Sequence, residues 1–208
     1  MSQIKIFTIE ELTEQLKNTV SDKRFVHSLG VADMTKQVLE HYNAPYEKNW
    51  RGFDGALFCG IAHDFARELT SAQILDYCKK NNIYLPKEAI KAPVIAHGVV
   101  SAQMVENLVG LFPASWNKAI CLHTTGNRGM DNLSLALFVA DFIEPSRTFM
   151  TDKRRAFYLS SPTLCSCAYK VLCDMMNHWE KCGLHDASGS SKAMKEYLEK
   201  EVGCRYED

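Results

Sequence analysis

The chain has 208 residues, 46% of them hydrophobic, and a formal net charge of -1. That length and apolar content suit one domain-sized core, while the scattered, nearly balanced charge argues against a broad nucleic-acid-binding face. No stretch approaches the roughly 18 apolar residues of a membrane span, and Met1-Ser2-Gln3-Ile4-Lys5 lacks the basic-then-apolar form of a signal peptide, so the sequence predicts a cytoplasmic protein that engages no membrane.

The punctuation is helical from the start. Thr8-Ile9-Glu10-Glu11 has the form of a capping box, and Leu12, Leu16 and Val20 follow on one face. A second helix is predicted from about Lys23 to Tyr42, with Phe25, Leu29, Ala32 and Leu39 on its apolar stripe. Asp54 can cap a short, very apolar helix through Leu57, Phe58 and Ile61 to His63-Asp64, and Thr70 can cap another that ends near Asn81. Pro86 opens a short helix, and Pro93 interrupts the chain just before His97-Gly98.

Helices are predicted again over Gly98 to Leu111 and Ser115 to His123. Asn132 starts a nearly all-apolar run that Pro145 ends, and a helix apolar on every side belongs at the centre of a fold. Ser161-Pro162 has the form of an N-cap plus first-turn proline for a long helix to about Gly183. A flexible connector, Asp186 to Ser191, then leads to an amphipathic helix, Lys192 to Val202. No strand or repeat is evident. The sequence therefore predicts an all-α chain forming one domain, residues 1–208, with a core at about 20–147 and a C-terminal helical annex at about 160–203.

The eight cysteines do not form a framework. Cys59, Cys78 and Cys121 stand alone in apolar stretches, and Cys165 with Cys167 is one residue too tight for a zinc knuckle. They read as free thiols acting as small core hydrophobes.

The chemistry lies in the histidines. His27, His63, His97 and His123 each sit within or beside a strongly apolar stretch. One such histidine is ordinarily a core residue satisfied by a hydrogen bond, but here they have company. His63-Asp64 closes an apolar helix, and Asp141 lies between Ala140 and Phe142 in the most hydrophobic helix. A buried ionised carboxylate is costly unless a cation meets it, and one divalent ion neutralises carboxylates while engaging neutral imidazoles. Spacing agrees. Trp116, Ala119, Ile120 and His123 follow i, i+3, i+4, i+7, and Leu133, Leu137 and Asp141 share a face, so His123 and Asp141 point inward.

The ordered set His27, His63-Asp64, Asp141 resembles the H…HD…D pattern of the HD metallohydrolases. Longer segments resemble one branch, the YqeK family. They are His27-Ser28-Leu29-Gly30-Val31-Ala32, Val94-Ile95-Ala96-His97-Gly98, the run from Leu122-His123-Thr124-Thr125-Gly126 to Met130, and Asp141-Phe142-Ile143-Glu144-Pro145-Ser146-Arg147. The resemblance spans residues 8–183 and departs from the family pattern at Ser146, where glycine is usual, and at Asn127, where arginine is common.

The resemblance implies an HD-domain helical bundle and a symmetrical bis(5′-nucleosyl)-tetraphosphatase that converts diadenosine tetraphosphate to two ADP through a metal-bound hydroxide. It implies that His27, His63, Asp64 and Asp141 hold one divalent ion, with Asp64 bridging to a second ion held by His97 and His123. Iron is favoured, and manganese, cobalt and zinc suit the same nitrogen and oxygen donors. Arg67, Arg128 and Arg147 are candidate phosphate contacts, with Asp64, Arg67 and Arg128 as the catalytic set. Thr124, Thr125 and Gly126 offer hydroxyls and backbone donors to the substrate. Glu144 either orients a ligand or lies at the surface. His41, His178 and His185 fall outside the pattern, and Met175, Met176 and Trp179 read as core packing. A nucleoside 5′-phosphatase, a non-catalytic nucleotide-binding HD domain and a di-iron oxygenase remain alternatives, and a homodimer stays open.

Overall fold

A computed structural model of the protein describes residues 8–85, 89–90, 92–183 and 189–202. Ten α-helices are present among them. Local chemistry sets their ends. Thr8 caps α1 (Ile9–Thr19) in a capping box with Glu11, Ser21 caps α2 (Asp22–His41), and Asp54 caps α3 (Gly55–Ala62) by accepting from the backbone N–H groups of Ala56 and Leu57. Thr70 and Gln73 form the box that starts α4 (Ser71–Lys80). A 3₁₀ turn, Pro93–Ala96, delivers the chain into α5 (His97–Val109), followed by α6 (Ala114–Leu122) and α7 (Asn132–Ile143).

Three features differ from expectation. A two-residue antiparallel ladder pairs β1 (Asn49–Trp50) with β2 (Phe53–Asp54). Its turn places Arg51 and Gly52 at positive φ, the geometry a tight hairpin needs, and four residues are too few to show alternation. A helix that apolar periodicity did not reveal, α8 (Asp152–Leu159), is capped by Thr151 and buries Tyr158 alone. The long helix α9 (Leu164–Lys181) starts two residues later than Ser161-Pro162 implied. Thr163 and Ser166 make its capping box, while Ser161 Oγ donates to the Tyr158 carbonyl and closes α8 instead. The last helix is α10 (Ser190–Glu201). The helix expected to open at Pro86 falls largely outside the described residues, as do residues 186–188 of the expected connector.

The central helix is α7, buried from Leu133 to Ala140 and at Ile143, with α2, α3, α6 and α9 packed around it. The helices α2 and α3 approach each other closely. A Cβ on Gly60 would lie 2.3 Å from the Ala32 Cα, so glycine is what lets the two backbones meet. This crossing carries His27 on α2 toward His63-Asp64 at the end of α3 and toward Asp141 on α7. The C-terminal helices do not stand apart. Cys167, Val171 and Leu172 of α9 and Met194 and Leu198 of α10 belong to the same buried cluster as Leu12 and Leu16 of α1.

Candidate metal centre and active site

Six ligand-type side chains meet where α2, α3, α5, α6 and α7 converge. Asp64 is at the centre. Its Oδ2 lies 3.4 Å from His63 Nε2 and 3.7 Å from His27 Nε2, while its Oδ1 lies 3.2 Å from His97 Nε2 and 3.6 Å from His123 Nε2. Asp141 Oδ1 is 3.0 Å from His27 Nε2 and 3.8 Å from His63 Nε2. All four imidazoles and Asp64 are buried, and Asp141 is half-buried at the edge of a cavity.

The rings are oriented from behind. His63, His97 and His123 each donate Nδ1–H to the carbonyl three residues earlier, that of Gly60, Val94 and Ile120, at 2.7 Å. A carbonyl can only accept, so the proton sits on Nδ1 and the Nε2 lone pair faces the cluster. His27 differs. Its Nδ1 donates to Oε1 of the fully buried Glu144 at 2.8 Å. The neighbouring Ser146 steadies that carboxylate with its backbone N–H and hydroxyl, both at 2.6 Å. Glu144 thus orients a ring rather than lying at the surface.

This donor set fits a divalent ion. Nε2 of His27 and of His63 are buried without a hydrogen-bond partner. Nε2 of His97 and His123 are 3.0 Å apart, so two acceptor lone pairs oppose each other beside a carboxylate oxygen. Burial alone would raise the Asp64 carboxyl, but His63, His123 and His97 outweigh it and hold it well below the usual range. Burial is likewise overcome at Asp141 by Arg147, His27 and His63. Burial disfavours charge on His27, yet Asp141 and Glu144 raise its pKa. Inward-facing imidazole nitrogens beside carboxylate oxygens are the nitrogen and oxygen donors that a divalent ion engages. Among the described residues, three overlapping triads of metal-ligand type occur, and all six members are the side chains expected from sequence.

Asp64, His97, His123 and Asp141 of the cluster line a cavity of about 460 Å³. Arg24, Arg67, Arg147 and Thr124 line it as well, and the Thr124 hydroxyl lies 3.2 Å from His97 Nε2 and 3.1 Å from His123 Nε2. Phe138, Phe142, Phe149, Met175 and Trp179 make the apolar side. Asp174, also in the lining, accepts from the Tyr158 hydroxyl and pairs with Arg154 at 3.5 Å.

Arg128, Thr125 and Gly126 are not brought to this cavity. Gly126 turns the chain at positive φ under Met194 of α10, and Ser191 Oγ donates to the Thr125 carbonyl at 2.9 Å. The loop is thereby tied to the last helix, and Arg128 is exposed beyond it. Met175, Trp179 and His178 do line the cavity, although the sequence placed the first two in core packing and the third outside the site. Met176 packs on the core, His41 is exposed, and His185 is outside the described residues. Arg24 is the main residue that sequence reasoning missed. Its signal was its position three residues before His27, one turn back on the same helix.

Comparisons with known proteins extend this geometry. No family model matches the chain. A solved structure from Clostridium acetobutylicum, described as a predicted HD superfamily hydrolase involved in NAD metabolism, superposes with a TM-score of 0.80. It is 25% identical, over 94% of this chain and 98% of that one. The chain is an HD-type hydrolase. The symmetrical bis(5′-nucleosyl)-tetraphosphatase of Bacillus subtilis is 27% identical over 141 residues, covering 67% of this hydrolase and 71% of the relative. The enzyme of the same name from Staphylococcus aureus is also 27% identical, covering 67% and 68%. In this HD-type hydrolase no described helix is long and apolar enough to cross a membrane.

Proposed function

We propose that this hydrolase cleaves diadenosine tetraphosphate at its central phosphoanhydride, giving two molecules of ADP. The observation that carries this is the joining, in one cavity, of the His/Asp cluster, the guanidiniums of Arg24, Arg67 and Arg147, and an aromatic wall. That combination suits a ligand with a polyanionic middle and a flat, apolar end. The names of the relatives from Bacillus subtilis and Staphylococcus aureus support the same substrate.

His27, His63, Asp64 and Asp141 would hold one divalent ion, and Asp64, His97 and His123 a second. Such ions supply Lewis acidity toward phosphoryl oxygens and bring the pKa of water toward neutrality. Iron is the proposed metal, with manganese, cobalt or zinc suiting the same donors.

The chain's own residues do the rest. Arg24, Arg67 and Arg147 offer planar donors to the phosphate oxygens on which charge develops as the bond breaks. Thr124, in reach of two imidazoles, can donate a hydrogen bond at that same edge. Glu144 holds His27 in one tautomer. Phe142, Phe149 and Trp179 give an adenine a face to stack on and keep bulk water from the reacting phosphorus. Water attacking a β-phosphorus then displaces ADP as the leaving group, and the second ADP carries the water oxygen.

Asp64 is shared by both halves of the cluster, so Asp64→Ala is expected to abolish bound metal and hydrolysis together while the far-ultraviolet circular dichroism spectrum stays helical. Full activity with unchanged metal content would remove the proposed site.

A further inference from the structure

Two guanidiniums rest on the carboxylates of the cluster. Arg24 Nη1 donates to Asp64 Oδ2 at 2.6 Å. Arg147 Nη2 donates to Asp141 Oδ1, and its Nε donates to the Asp141 carbonyl at 2.9 Å. Both carboxylate oxygens face the same pair of nitrogens. Asp64 Oδ2 is the oxygen near His63 and His27, and Asp141 Oδ1 is the oxygen 3.0 Å from His27. The arginines thus both address the half of the cluster built on His27 and His63. The other half is built on Asp64 Oδ1 with His97 and His123 at 3.2 and 3.6 Å, while the two recorded guanidinium contacts, Arg24 on Asp64 Oδ2 and Arg147 on Asp141 Oδ1, both fall on the first half.

A guanidinium on a carboxylate oxygen opposes a divalent ion twice. It occupies the lone pair the ion needs, and its charge repels the ion. The two halves therefore differ in the work an ion must do to enter. Both arginine side chains are partly exposed, at 24% and 30%, and both line the cavity. Each has somewhere to go when its carboxylate is taken.

Building on the metal-dependent reading above, we propose that Arg24 and Arg147 compete with a divalent ion for Asp64 Oδ2 and Asp141 Oδ1. The His97–His123 half then loads first and strongly, and the His27–His63 half second and weakly. Arrival of the second ion turns both guanidiniums toward the cavity, where a polyphosphate gives them new partners. Anionic substrate and second ion accordingly favour each other's binding.

The test is a calorimetric titration of the metal-stripped full chain with Mn²⁺. Two unequal steps are expected. Arg24→Gln and Arg147→Gln should each tighten the weaker step by about tenfold or more, the scale of removing a unit charge close to a divalent ion, and leave the stronger step in place. Arg24→Lys keeps the charge and should keep the weaker step weak. A weaker step that is unchanged or further weakened in both Gln variants would overturn the proposal. Should those variants fail to fold without metal, the order of loading decides independently. His97→Ala should remove the stronger step and His27→Ala should spare it, and the opposite result would overturn the proposal. No Mn²⁺ uptake by the unaltered chain would instead bring down the metal-dependent reading and this inference with it.

Discussion

Each histidine of the cluster solves one problem, how to present a bare Nε2 from a buried ring. Three use a carbonyl three residues back, and His27, in mid-helix where its own carbonyls are taken, uses Glu144. Burial pushes the Glu144 carboxyl up, but His27 and the Ser146 donors outweigh it and hold it below its ordinary value. Glu144→Gln should therefore keep the fold and weaken metal retention by about 10–100-fold, measured by competition with a chelator; unchanged retention would leave Glu144 a purely structural group. The histidines and aspartates were legible because polar ligands in apolar sequence stand out. Glu144 was ambiguous because its spacing from Asp141 did not say whether it faced His27. Arg24 was passed over, despite its place one turn before His27, because an arginine near a helix start has the look of a solvated side chain.

Among the elements, the α2–α3 crossing sets the ligand geometry. Gly60→Ala would press a methyl group onto backbone atoms of Ala32. Overpacking of this kind costs about 1–3 kcal/mol, and a rigid backbone neighbour argues for the upper end. Chemical denaturation should show that loss, whereas a stability equal to the unaltered chain would mean the helices can separate freely. Helix starts were readable wherever a side chain caps its own turn, as at Thr8, Asp54 and Thr70. The start of α9 was misplaced because Ser161-Pro162 mimics a cap that Thr163 and Ser166 make in fact. The short α8 escaped because one buried tyrosine does not make a stripe.

At the scale of the whole molecule, the C-terminal helices complete both the core and the cavity, a role no periodicity could reveal because it depends on which elements meet in space. The seven described cysteines are free thiols, as their spacing implied. Burial pushes Cys167 and Cys121 up to about 11 and raises Cys59 well above its ordinary value. A raised thiol pKa keeps the unreactive protonated form through pH 8. Native-state alkylation followed by mass spectrometry should label exposed Cys182 first and reach Cys59, Cys121 and Cys167 only on unfolding or at strongly alkaline pH; rapid labelling of Cys59 in the native state at pH 8 would contradict the packing described.

The central claim is that the cavity presents a β-phosphorus for attack. The guanidiniums of Arg24, Arg67 and Arg147 line the same cavity as the cluster, so on the proposed reading a tetraphosphate held by them would place its middle at the cluster, with an adenine against the aromatic side. A chain bound one phosphate out of register would be cut asymmetrically instead. Chromatography of the earliest products from diadenosine tetraphosphate in ¹⁸O-labelled water separates the cases. The account predicts ADP alone, with label in one ADP per turnover. ATP and AMP in equal amounts would contradict it.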